Sequence, residues 1–244
     1  MKPMISTGTL TLAFAALLAT GGAAQQRPAA TPDTRPGVGV LDFEIGATIG
    51  QDPDDYQALR RGLASMTINE LTANAAIRVV ERAQLQQILQ EQNLGREGRV
   101  DPSTVSQIGR LIGARYMVTG TLYDVRGDVR IDARLFDTET SQILKTYRVQ
   151  GRLDNVFELV TSLSTQLLAT ANLPPLERRA MDEHRQANPA PPTQAVMAYS
   201  RAVLYADRGD TQHAVEQYRR AITVFPAYTQ AKADCNRLQA GACT

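Results

Sequence analysis

Residues 129–137 alternate without a break, Val129, Ile131, Ala133 and Leu135 against Arg130, Asp132, Arg134 and Phe136. A period of two sends these sets to opposite faces of a strand, so the stretch reads as half-buried sheet and not as amphipathic helix. Residues 116–125 (YMVTGTLYDV) lead into it through Arg126-Gly127-Asp128, which is hairpin spacing, and residues 142–152 follow a second turn at 138–141. An antiparallel meander is thereby expected in the middle of the chain. Its apolar face must be covered by what comes before and after.

Upstream the period is different. Residues 38–43 (VGVLDF) form a compact apolar run after Gly37, consistent with a buried strand, whereas residues 54–73 place Leu59, Leu63, Met66 and Leu71 at helical spacing with Arg60 and Arg61 on another face. A strand-like 77–80 follows, then a helix-spaced 83–92 with Leu85, Ile88 and Leu89 on one stripe. Asp101-Pro102 supplies a cap and the favoured first-turn proline for a helix over 103–112, which Gly113 stops. Asp154 is positioned to cap a closing helix through residue 171. The order is β-α-β-α-α-β-β-β-α, so residues 37–172 are expected to form an α/β unit with a mixed sheet of about five strands flanked by helices.

The ends of the chain carry other signals. Residues 1–24 combine Lys2, a nine-residue apolar run at 10–18 and small residues at Gly22-Ala23-Ala24, the pattern of an export signal cut near Gln25. Residues 25–36 hold three prolines and nothing that packs, and read as a flexible leader. A second proline-rich break at 173–192, with room for a short helix at 176–187, separates the α/β unit from residues 193–244. There Ala202, Tyr205, Gly209, Ala214, Tyr218, Ala221 and Pro226 match the small and aromatic positions of one tetratricopeptide repeat. Small residues let two antiparallel helices approach, Gly209 makes their turn and Pro226 ends the second. A lone repeat buries too little by itself, so this helical hairpin must pack on its neighbour or on another chain. Cys235 and Cys243, the only thiols, are able to close a small loop in an oxidising compartment.

Composition excludes more than it suggests. Hydrophobic residues are 43% and charged residues 21%, which is globular. Lys2 is the only charged residue of the first 24, so the remainder carries 25 basic and 25 acidic residues, with no net basic field to draw nucleic acid. Phosphate-loop, dinucleotide, nucleophile-elbow and zinc-helix motifs are all absent. Asp52, Asp54 and Asp55 lack the spacing of a calcium loop and read as a helix N-terminal cluster. His184 and His213, without an adjacent acid and nucleophile, are expected to face solvent. No catalytic, cofactor-binding or metal-binding residue is assigned. The candidates for partner contact are Tyr199, Tyr205 and Tyr218 on the hairpin, with core packing the stronger role for at least two, and Arg130 and Arg134 in a charged stripe on the sheet. The plainer reading of that stripe is a solvated face with cross-strand ion pairs.

The blocks at 79–92 (VVERAQLQQILQEQ), 100–103 (VDPS), 108–114 (IGRLIGA), 116–121 (YMVTGT) and 133–137 (ARLFD) resemble, in that order, the periplasmic domain of the CsgG family, the curli production assembly and transport component. The resemblance spans residues 38–171 and extends to the amino-terminal domain of TolB-type proteins. It implies a mixed sheet flanked by helices in an exported envelope protein. The family includes an oligomeric curli secretion channel, flagellar outer-membrane accessory proteins and lipoprotein activators of peptidoglycan synthases. This chain departs from the channel member in lacking an acylated cysteine and amphipathic hairpins long enough to span a bilayer. It is therefore expected to be a non-enzymatic scaffold in the periplasm, soluble or peripheral to the outer membrane, with protein partners, no lipid anchor and no membrane span. Self-assembly into homo-oligomers stays open, as do a channel subunit and a peptidoglycan-synthase regulator.

Overall fold

The computed structural model describes residues 33–50, 52–91, 101–170 and 172–243. The export signal and most of the leader lie outside these residues. Strands β1 (Gly37–Val40) and β2 (Glu44–Ile49) precede helix α1 (Pro53–Leu71), then come β3 (Arg78–Val79), α2 (Arg82–Glu91) and α3 (Pro102–Leu111). The meander is β4 (Tyr116–Val125), β5 (Asp128–Asp137) and β6 (Gln142–Arg152), followed by α4 (Val156–Leu168), α5 (Arg178–Ala187), α6 (Thr193–Asp207), α7 (Thr211–Val224) and α8 (Thr229–Leu238).

The sheet has six strands in the order β3-β1-β4-β5-β6, with β2 also paired to β4. β1 and β2 run parallel to β4, one along each half of it, while β4, β5 and β6 are antiparallel. The extra strand is β2, in a stretch to which the sequence alone assigns no element. Its residues are only partly buried, so neither alternation nor an apolar run marks it. Gly46 is what admits it: a Cβ there would stand 2.4 Å from the Tyr123 ring.

Local chemistry explains the element ends. The Asp52 side chain accepts the Asp54 N–H at 2.8 Å and Pro53 opens α1. Asp101 accepts from the backbone N–H groups of Ser103 and Thr104 and from both hydroxyls, capping α3, and Gly113 at φ 64° ends that segment. The β4–β5 turn places Arg126 at φ 54° and Gly127 at φ 86°, and the Gly127 N–H donates to Asp124 Oδ1 at 2.7 Å. Asp154 does not cap α4. It sits inside a short 3-10 turn at Leu153–Asn155 that leads into the helix.

Two apolar clusters cover the sheet. The smaller lies beneath α2 and α3 and joins Leu85, Val105, Ile108, Met117 and Phe136. The larger lies on the opposite face and runs without interruption from Val118, Leu122 and Ile131 through Leu59, Leu63 and Met66 of α1 to Tyr199, Tyr218 and Cys235. The α/β stretch and the C-terminal hairpin, which the sequence separates by a proline-rich linker, thus share one core within a compact unit from Arg35 to Thr244. The reason is α1, whose second face carries Ala58, Gly62 and Ser65. A Cβ at Gly62 would lie 1.9 Å from Ser200 Oγ and 3.1 Å from Ser200 Cα, so only glycine lets α6 approach this closely.

Candidate functional site

Three polar clamps fix the hairpin on the sheet unit. Asp42, in the turn after β1, and Asp207, the last residue of α6, both accept from Arg82 at the start of α2, at 2.7 Å and 2.5 Å. Arg61 of α1 reaches the same acids, at 3.8 Å and 3.3 Å, so two guanidiniums and two carboxylates neutralise one another in a mostly buried cluster. Burial pulls the Arg82 guanidinium down, but Asp42 and Asp207 outweigh it and raise it above its ordinary value. For Arg61 burial prevails over the same acids and the shift is downward. The second clamp is Arg201 of α6 on Asp55 of α1, at 2.6 Å and 2.9 Å. In the third, Gln230 of α8 donates to the Ser65 carbonyl oxygen at 3.0 Å and to the Tyr199 hydroxyl at 2.8 Å.

These clamps hold α8 and α2 apart and leave a cleft of about 660 Å³ between them. Ile68, Val203 and Ala206 contribute apolar surface, while Asn69, Gln86, Gln87 and Gln90 bring carboxamides and Asp234 and Arg237 a charged pair 3.3 Å apart. Carboxamides both donate and accept, so they suit a peptide backbone, which does the same. Behind this wall the Tyr199 hydroxyl donates to Asp234 Oδ2 at 2.8 Å. Burial raises the Asp234 carboxyl, against the downward pull of the Tyr199 hydrogen bond and of Arg237 and Arg82. Burial, then the Asp234 charge, pushes the Tyr199 hydroxyl well above its usual range. Among the described residues, no group of three or more His, Cys, Asp or Glu is arranged to hold a metal ion.

The sequence-level candidates divide sharply. Tyr199 is wholly buried, with its ring 5.2 Å from Tyr228 and 5.9 Å from Tyr218. Tyr218 is 4% exposed at the base of the cleft. Both pack in the core of the hairpin, and Tyr218 also lines the cleft. Tyr205 is partly buried and stacks on His213 at 5.2 Å. Arg130 lies over the Tyr123 ring at 4.1 Å and pairs with Asp132 at 3.4 Å, on the sheet and away from the cleft, and Arg134 stands exposed two positions along the same face. Cys235 is joined to Cys243 with a Cα–Cα separation of 5.9 Å, closing the end of α8.

His184 corrects the expectation of solvent exposure. It is only 13% exposed, with Nε2 3.3 Å from Glu70 of α1, because α5 folds back onto that helix; His213 is half exposed beside Asp210. The residues of the first clamp, Asp42, Arg61, Arg82 and Asp207, of which the last two line the cleft, carried no sequence signal as a set. They lie far apart in the chain and meet only through tertiary packing.

Residues 20–125 match the family model described as curli production assembly/transport component CsgG, a match that stops at the last residue of β4. Residues 20–125 are thereby similar to that family, over less than half of the chain. Among solved structures, the chain is similar to the LpoB C-terminal domain from Salmonella enterica, at 16% identity over 48% of this chain and 82% of that one, with a TM-score of 0.37. Lipoprotein GNA1162 from Neisseria meningitidis is similar at 14% identity over 55% and 98%, TM-score 0.37. TolB from Acinetobacter baumannii is similar at 12% identity over 66% and 30%, TM-score 0.29. No curated protein matches. Among the described residues, no helix is long and apolar enough to cross a membrane.

Proposed function

We propose that this chain is an exported, non-enzymatic accessory protein of the cell envelope, a CsgG-like scaffold that takes a protein partner in the cleft between α2 and the C-terminal hairpin. The reading is supported above all by how the hairpin is used. Tyr199 and Tyr218 are spent on the core, Arg201 and Asp207 on clamps to α1 and α2, yet the face of α8 toward α2 is left open opposite a row of glutamines. A helix pair that served only to cover α1 would have no need of an amide-lined gap on its far side. Such a gap offers hydrogen bonds to an extended or helical segment while apolar residues at its floor exclude water.

The test is site-specific photocrosslinking in the intact envelope. A photoreactive residue at Ala83 on α2 and one at Ala233 on α8, on opposite walls of the cleft, are each expected to give the same discrete protein adduct. The same residue at the exposed Arg179 of α5 is expected to give none. No adduct from either wall, or equal labelling at Arg179, refutes the docking role.

A further inference from the structure

β6 is the last strand of the sheet, and among the described residues nothing pairs with its outer edge. It is eleven residues long, about twice the usual strand. One register shift interrupts its pairing with β5, between Leu135 and Phe136, so the run from Lys145 to Arg152 is regular. The run presents a row of unsatisfied backbone N–H and C=O groups to whatever approaches.

The charge along this edge is of one sign. β6 contains Lys145, Arg148 and Arg152 and no acidic residue. On the outer face of the sheet Thr146, Arg148, Gln150 and Arg152 stand opposite Arg134, Asp132, Arg130 and Asp128 of β5. Asp132 pairs with Arg148 at 2.7 Å and Asp128 with Arg152 at 2.8 Å. That leaves Arg134 with no ion-pair partner among the described residues, while Lys145, of the other parity, holds its ammonium 5.2 Å from the Tyr147 ring. The other parity of β6, Tyr147 and Val149, lies buried on the α4 side.

We infer that the free edge of β6 accepts an extended segment of a partner protein in which acidic residues alternate with apolar ones. Added as a seventh strand, such a segment would satisfy the open backbone groups. Its acids would fall beside Arg148, Arg152 and Arg134, and its apolar residues on the side of Tyr147 and Val149. A second copy of this chain is the wrong occupant, since two β6 strands would bring three cations against three with no acidic residue on either strand to meet them. Cationic residues also guard edges against unwanted pairing. That role predicts no affinity for an acidic strand.

The probe is an eleven-residue capped peptide of alternating glutamate and valine, with the lysine–valine peptide as its control, added to the full-length exported protein. The glutamate peptide is expected to slow hydrogen exchange of the β6 amides, to bind more weakly as salt rises to on the order of 300 mM, and to lose about tenfold in affinity with Arg134→Glu. Arg134 is exposed and unpaired, so the variant keeps its fold, and Gln150→Glu, on the same outer face, supplies an independent second reading. Four results overturn the inference. These are no protection of β6 at about 1 mM peptide, unchanged affinity in both variants, equal binding of the lysine peptide, or a dimer whose β6 amides are already protected without peptide. Protection of the same amides by anionic phospholipid vesicles, with none by the peptide, overturns it in favour of a lipid surface.

Discussion

Gly62 carries more of the tertiary arrangement than any large side chain around it. Replacing it by alanine should gain up to about 1 kcal/mol of helix propensity, but the new Cβ falls at 1.9 Å from Ser200 Oγ, and overpacking costs typically 1–3 kcal/mol. The clash therefore wins, and Gly62→Val is expected to lower the urea midpoint more than Gly62→Ala, with Ser200→Gly recovering part of the loss. An unchanged midpoint for Gly62→Val would show that α1 and α6 are not in close contact. Asp137 supports the second turn in a different way. Burial works against its charge, but the N–H groups of Thr140 and Glu139 and the Arg115 guanidinium prevail and lower its carboxyl below the ordinary value. A group lowered in the folded state stabilises above its unfolded pKa, and that contribution is lost as the pH falls through the folded one. Asp137→Asn should thus cost about 1–3 kcal/mol at pH 7 and progressively less toward pH 3, read from urea midpoints at both. Asp234 has the opposite sign: raised by burial, it makes stability fall as the pH climbs from near 4 through its folded value, and Asp234→Asn should flatten that slope.

At the scale of elements, α8 is the one whose position is most dependent on a covalent tie. It is ten residues long, buries only Ala231 and Cys235 and is followed by a tail that the Cys235–Cys243 bond holds against it. Asn236 accepts the Cys243 N–H at 3.1 Å and Arg219 donates to the Ala242 carbonyl at 2.9 Å, so the tail also braces α7. Closing a loop of this length stabilises by roughly 2–3 kcal/mol through the unfolded chain. Reduction, or Cys243→Ala, is expected to lower Tm by roughly 5–10 °C and to weaken partner crosslinking from Ala233 before that from Ala83. The glutamine face of α2 belongs to the same level of description. Its partner wall is α8, so a frayed α8 opens the cleft without touching α2.

For the whole molecule, the continuous core from β4 to α8 predicts one cooperative unfolding transition. A chain ending at residue 172 would expose the second face of α1, with Leu59 and Gly62 stripped of α6, and leave Arg61 and Arg82 sharing Asp42 alone. It is expected to be expanded or aggregated, judged by circular dichroism and sedimentation. A truncated chain that unfolds with the midpoint of the intact protein would show two independent domains after all. The same coupling means that deleting the hairpin cannot test partner docking, since the loss of binding would follow from the loss of the fold.

What the sequence determined by itself is local in origin. The meander was legible from the alternation around Ile131 and Ala133, α3 from Asp101, Pro102 and Gly113, and the α6–α7 hairpin from small residues spaced around Gly209, because each signal lies within one element or one turn. β2 escaped because an edge strand with a glycine at its centre has no alternation to show. That the hairpin needs a packing partner was legible, but the place where it meets α1 was not, because Gly62 and Ser200 are unremarkable letters until two helices cross at them. The cleft escaped for the same reason. Asp42, Arg61, Arg82 and Asp207 acquire a joint role only when the chain brings them within ion-pair distance, and no spacing in a linear sequence encodes that meeting.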